Sequence, residues 1–164
     1  MVLTRKFSKM EFTSPAKAIN LVPPKFGIAA DPIILDRNKV LLVKRSYEPF
    51  KGKYDFPGGF LEEGETIEQT CVREAKEETG LDVEPVEILG VYSKIGRDPR
   101  GQTLSVSFIC KPKTMDVKIS NEATEAEWFD LDKINKSTLA FDFAKTIEDL
   151  KKWKKQKGTY WSTK

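Results

Sequence analysis

At 164 residues, with 39% hydrophobic and 32% charged residues, the chain suits a single globular domain with a proper core. Its net charge of +3 is too small to imply a nucleic-acid partner. It has no histidine, which excludes Ser-His-Asp and Cys-His catalysis and any zinc site that needs imidazole.

Residues 1–25 read as an N-terminal extension packing on the domain or on a dimer partner, and 26–164 as one domain. The extension lacks the apolar region of a secretory signal, and no run approaches the roughly 18 apolar residues of a membrane span. Residues 26–35 and 39–45 are apolar runs joined by Asp36-Arg37-Asn38, a predicted β-hairpin. The segment YEPFKGKYDFPGG, 47–59, is punctuated as a loop by Pro49, Gly52, Pro57, Gly58 and Gly59. A helix is expected from about Thr66, where Thr66 and Gln69 form a capping-box pattern and Gly80 stands at the C-cap. Residues 86–94 and 102–110 read as strands around the loop IGRDPRG. In the second, Leu104, Val106, Phe108 and Cys110 alternate with Thr103, Ser105 and Ser107. EWFDLDKI is a short strand entering a helical turn. A C-terminal helix over 141–156 places Phe143, Ile147 and Leu150 on one face, and its lysines suit a helix C-terminus. The order predicts an α/β (α+β) fold, a mixed sheet between helices. Cys71 and Cys110 fit no metal-ligand spacing and read as reduced core thiols, consistent with a cytoplasmic location.

The stretch from Gly58 to Leu81 is dense in glutamate. At about 100° per residue, Cys71, Ala75, Thr79 and Val72 follow Ile67 around an apolar arc. Glu74 and Glu78 fall within about 20° of Ile67, in line with that arc, and Glu77 lies just beyond. A solvated acidic face would be opposite the apolar stripe. Partly buried carboxylates need a counter-charge, because desolvation disfavours the ionised form. Arg73 reaches Glu77 at i+4, but one guanidinium cannot neutralise three acids. A hard divalent cation can, and oxygen ligands are what Mg²⁺ or Mn²⁺ prefers.

Gly59, Glu65 and the run Arg73-Glu74-Ala75-Lys76-Glu77-Glu78-Thr79-Gly80-Leu81 resemble the Nudix box, G-x5-E-x7-R-E-U-x-E-E-x-G-U, where U is bulky and apolar. Every fixed letter matches, and only Ala75 is small for its place. The preceding LLVKR and PFKGKYDFPGGFLEEGE and the later EAEWFDLD are also Nudix-like. The resemblance implies an α/β/α sandwich that hydrolyses a nucleoside diphosphate linked to a moiety X with Mg²⁺ or Mn²⁺. It implies Glu74 and Glu78 as principal metal ligands, Glu77 as a further ligand, and the Gly58 carbonyl completing the set. Arg73 would orient the acids and Glu65 would brace the loop. For the general base the first choice is Glu122, before the EWF strand; Glu125 is second, and Glu77 can serve instead.

GRDPRGQTLSVSF is similar to the RDPRGH segment of ADP-ribose pyrophosphatases in that family. It implies ADP-ribose as substrate, with Arg97 and Arg100 binding phosphate or ribose and Asp98 taking a hydroxyl or capping the turn. Arg45 joins this substrate-binding set, and Phe26 and Tyr47 are aromatics that could stack a base. Two departures stand out: Gln102 where those relatives often carry histidine, and Pro99, eighteen residues after Leu81, further from the box than their marker proline. The other functions weighed are a pyrophosphatase for oxidised nucleoside triphosphates or other dinucleotides, and a non-catalytic ADP-ribose sensor. A homodimer is the expected assembly.

Overall fold

The computed structural model describes residues 26–119 and 123–163. The expected extension, 1–25, and Glu122 lie outside the described residues. Strands β1 (Gly27–Asp36) and β2 (Lys39–Arg45) form the predicted hairpin, closed by a turn in which Arg37 takes a φ of 54°. They pair only at that end, Leu35 with Val40 and Asp36 with Lys39. From Gly27 to Ile34, β1 instead pairs in parallel with β6 (Thr103–Pro112), while β4 (Gly59–Phe60) adds at Ala29 and Ala30. β2 joins β7 (Ala123–Asp130) along its length and β3 (Tyr54–Asp55) at Val43 and Lys44. The hairpin strands therefore splay apart, and Pro32, with no N–H to offer a ladder, sits in the splayed part. Ala29, Asp31 and Arg45 from the diverging strands line the main cleft.

β5 (Val83–Tyr92) runs antiparallel to β6, and β8 (Tyr160–Trp161) adds to β5 in parallel. The mixed sheet has the order β3-β2-β1-β6-β5-β8. Helix α1 (Ile67–Thr79) covers one face, where Cys71 and Ala75 pack with Ala30, Ile34, Leu41 and Phe108. Helix α2 (Phe143–Lys155) covers the other, where Ile147, Leu150 and Trp153 pack with Ile33, Val40, Leu42 and Leu89. Consecutive Ile33 and Ile34 serve opposite layers, as a strand buried on both faces requires. This is the expected sandwich.

The structure departs from the expected elements in several places. β5 starts at Val83 rather than at 86, and the loop 47–59 contains β3 and β4. β8 had no signal in the sequence, since two residues show no period. Val72, expected in the core arc, is 37% exposed, whereas Thr70 on the other flank is fully buried. The buried arc of α1 is thus turned toward its acids.

Both ends of α1 are capped as predicted. Thr66 Oγ1 accepts from the Gln69 N–H at 3.3 Å, and Gln69 Oε1 accepts from the Thr66 N–H at 2.8 Å. Gly80 takes a left-handed φ of 71°. Thr66→Ala removes the cap acceptor and is expected to lower stability by about 1 kcal/mol, read as a lower urea midpoint with an unchanged m-value.

Candidate active site

Glu74 and Glu78 are buried on α1 and, with Glu77, line a cleft of about 670 Å³. Arg73 organises this wall. Its Nε donates to Glu65 Oε1 at 2.7 Å, its Nη2 to the Phe60 carbonyl at 3.0 Å, and its Nη1 to Glu74 at 2.6 Å and Glu77 at 3.1 Å. The hydrogen bond from Arg73, helped by Thr70, holds Glu65 down at about 2, and Glu65 in turn raises Arg73. The Gly58 N–H donates to Glu78 Oε2 at 3.3 Å. A Cβ on Gly59 would lie 2.3 Å from Glu74 Oε1, so only glycine leaves this carboxylate its room. As the side chains stand, no three acids among the described residues are gathered closely enough to hold a metal ion. Their donor chemistry nonetheless fits a hard cation: three carboxylates on one wall, one of them, Glu74, packed against the glycine backbone at Gly59.

The rest of the cleft is built from arginines, buried acids and rings. Arg45 Nη1 lies 2.5 Å from Asp55 Oδ2, and its Nε donates to the Pro49 carbonyl at 2.6 Å. Its guanidinium lies 4.8 Å from the Tyr47 ring centre and 5.0 Å from that of Phe141. Arg100 lies 5.6 Å from Phe141 and 5.2 Å from Phe60. Rings and guanidiniums therefore alternate in the order Tyr47, Arg45, Phe141, Arg100, Phe60. Phe141 holds a left-handed φ of 47°, a costly conformation for an aromatic residue. Arg97 pairs with Asp142 at 2.8 Å and donates to Ser105 at 2.9 Å. Burial pushes Asp31 up to about 6 against the pull of Arg97, and pushes Asp55 up to about 7 against Arg45. Burial also opposes ionisation of Asp98, but hydrogen bonds from Arg100 outweigh it and hold this carboxyl low.

Arg73, Glu74, Glu77, Glu78, Gly58, Arg45, Tyr47, Arg97, Asp98 and Arg100 all line this one cleft. Asp98 spends its carboxylate on its own turn, accepting from the Arg100 backbone at 2.9 Å and from the Arg100 side chain. Phe26 lies in a neighbouring hollow instead. Glu125 is drawn off to Lys44 and Tyr54, each at 3.1 Å, and does not line the cleft. Asp31, Asp55 and Phe141 went unread in the sequence. Asp31 and Asp55 did carry a signal, a charge set within an apolar strand run and between two aromatics. Phe141, expected as the first residue of the helix 141–156, instead stands before it, since the helix begins at Phe143 and Phe141 has a left-handed backbone.

A helix whose buried face presents glutamates to a cleft that arginines also line has the donor chemistry for a hard cation and for phosphate oxygens. Residues 25–150 match the family model described as the NUDIX domain. Over 128 residues the chain is 50% identical to the ADP-ribose pyrophosphatase of Methanocaldococcus jannaschii, covering 78% of this chain and 75% of that one. It is 32% identical over 114 residues to a MutT-like protein of Streptomyces ambofaciens, covering 69% and 70%. Among solved structures, a NUDIX hydrolase from Nitrosomonas europaea aligns with a TM-score of 0.72 at 29% identity, covering 84% of this chain and 77% of that one. The NUDIX domain of Shewanella oneidensis NrtR, complexed with ADP ribose, aligns at 0.69 and 27%, covering 85% and 97%. The chain belongs to the Nudix family.

The Asp31 carboxyl gives stability a pH dependence. The folded chain keeps its proton to about pH 6, whereas the unfolded chain releases it near 3.8. The native state binds the extra proton, so the Asp31 contribution to stability falls as pH rises from about 4 to 6 and then levels off. Urea midpoints across this range should fall, and Asp31→Asn should make the slope shallower by up to about 1.4 kcal/mol per pH unit. A slope unchanged in Asp31→Asn would show that other groups carry it.

Proposed function

We propose that this protein is a divalent-cation-dependent pyrophosphatase that splits ADP-ribose into AMP and ribose 5-phosphate. One observation carries the reading: Glu74, Glu77 and Glu78 share a single cleft with Arg97 and Arg100, an acid wall for a cation beside guanidiniums for phosphate. The name of the Methanocaldococcus relative supports ADP-ribose as the substrate.

Glu74, Glu77 and Glu78, with the Gly58 carbonyl, would hold Mg²⁺ or Mn²⁺. Bound there, the cation would neutralise pyrophosphate charge and make water more acidic. Arg73 fixes the orientation of Glu74 and Glu77, and Glu65 fixes Arg73 in turn. Arg100 and Arg97 would offer the phosphates the guanidinium donors not already given to Asp98, Asp142 and Ser105. Arg97 and Arg45 are buried and so act in a setting where charge is weakly screened. Glu122 serves as general base in this reading, with Glu77 as the alternative on the cleft wall. The buried thiols Cys71 and Cys110, 3.5 Å apart and unbridged, accord with a reducing cytoplasm.

The test is AMP release from ADP-ribose with Mg²⁺ and with EDTA. Activity should appear only with the metal, and Glu78→Gln should lower kcat at least about a hundredfold while the thermal transition stays cooperative. Full activity in Glu78→Gln would remove that residue from the metal set. Activity indifferent to EDTA would remove the cation altogether.

A further inference from the structure

Beyond the acid wall, the cleft has a buried floor at Arg45 whose two aspartates, Asp31 and Asp55, the hydrolytic reading leaves unused. Arg45 is only 8% exposed, and its Nη2 has no hydrogen-bond partner among the described residues. Asp55, beside it, is 7% exposed, lines the cleft and accepts from Arg45 at Oδ2. Asp31 lies on the same floor, held by Ser107 at 3.2 Å. A buried donor left without a partner is costly, and set beside two carboxylates it calls for a ligand that both accepts and donates. Hydroxyl groups do both.

On this floor the rings of Tyr47 and Phe141 already carry guanidiniums. Arg45 occupies ring faces of Tyr47 and Phe141, and Arg100 stacks against Phe141 and Phe60. Next door lies a second hollow of about 300 Å³, lined by Phe26, Ile28, Phe60 and Leu61. Phe26, Ile28 and Phe60 are 55%, 44% and 42% exposed there, apolar surface suited to a ring, with Gln102 at its edge able to meet a base's polar rim. Phe60, Arg100 and Thr103 line both hollows, so a single extended ligand can run from one to the other past Arg100.

We infer that the substrate lies in one direction only: the sugar of X rests its hydroxyls on the Arg45–Asp55–Asp31 floor, and the nucleobase lies in the apolar hollow at Phe60. Arg100 sits between them, at the pyrophosphate. Asp55 and Asp31 thereby become specificity-determining residues that select an X bearing hydroxyls. This rests on the nucleoside-diphosphate reading of the site.

Binding decides it without turnover. Two methylene-bridged, non-hydrolysable ligands are titrated calorimetrically into the full chain with Mg²⁺: the ADP-ribose analogue and the ADP methyl ester analogue, which keeps base and phosphates but lacks the sugar of X. The wild type should bind the first at least about thirtyfold more tightly, as expected for two hydrogen bonds to charged groups. Asp55→Asn and Asp31→Asn should each shrink that ratio to about fivefold or less. Phe60→Ala should weaken both ligands by a similar factor of about ten and leave the ratio standing. Equal affinities in the wild type would overturn the inference with no variant needed, so a misfolded aspartate variant leaves it open to refutation. A ratio preserved in both folded aspartate variants, or lowered by Phe60→Ala alone, would also overturn it. Hydrolysis of ADP-ribose is measured in parallel. A large ratio with no hydrolysis would fell the pyrophosphatase reading alone, and hydrolysis with no ratio would fell the orientation alone.

Discussion

The guanidinium of Arg73 is the part on which the rest of the acid wall depends. It bonds Glu65, Glu74 and Glu77 as well as the Phe60 carbonyl, joining a loop, a strand and two turns of α1 through one planar group. Without it, Glu74 would be a buried carboxylate on a helix that also presents Glu77 and Glu78, and like charges at this spacing repel. Arginine suits the place because its fork offers donors in several fixed directions, which an ammonium on a flexible stem cannot do. The same clamp explains why the acids do not stand gathered as a metal cage: two of them are turned toward Arg73.

The cleft itself follows from how two strands part. β1 leaves β2 after two pairs and joins β6, so side chains from the open hairpin and from the following loop meet in the gap. Asp31, Arg45 and Asp55 come from three short segments that the divergence brings together. The ring and guanidinium stack then closes one side, with Phe141 delivered from the turn before α2. Helix α1 supplies the acids, and the glycine pair at 58 and 59 lets the chain pass close against Glu74 and Asp31.

Much of this was legible in the sequence for a physical reason. Alternation in 102–110, the capping residues at Thr66 and Gly80, and the glutamates falling in line with Ile67 are local properties of one segment. The same holds for the residues that carry the family likeness, since their spacing reflects one loop and one helix. What stayed hidden depends on distant parts of the chain. The strands at Tyr54–Asp55, Gly59–Phe60 and Tyr160–Trp161 exist only because a partner strand lies beside them. Glu125 looked as eligible as its neighbours until Lys44 and Tyr54, on two other strands, proved to hold it. Asp31 and Asp55 could be flagged as charges out of place, but their nearness to Arg45 and to each other needed the fold.

Phe141 adopts a left-handed backbone that its bulky side chain opposes, with Phe50, likewise left-handed at a φ of 66°, packed edge-on against it at 4.8 Å. Such a conformation costs about 1–3 kcal/mol, and it persists only where neighbours overrule it. Asparagine or glycine would sit more comfortably on that backbone, yet either would empty the space between two cationic planes. Folding and recognition thus pull this position in opposite directions. Variants selected for thermal endurance alone would drift there toward small residues and lose the ring that keeps Arg45 and Arg100 apart.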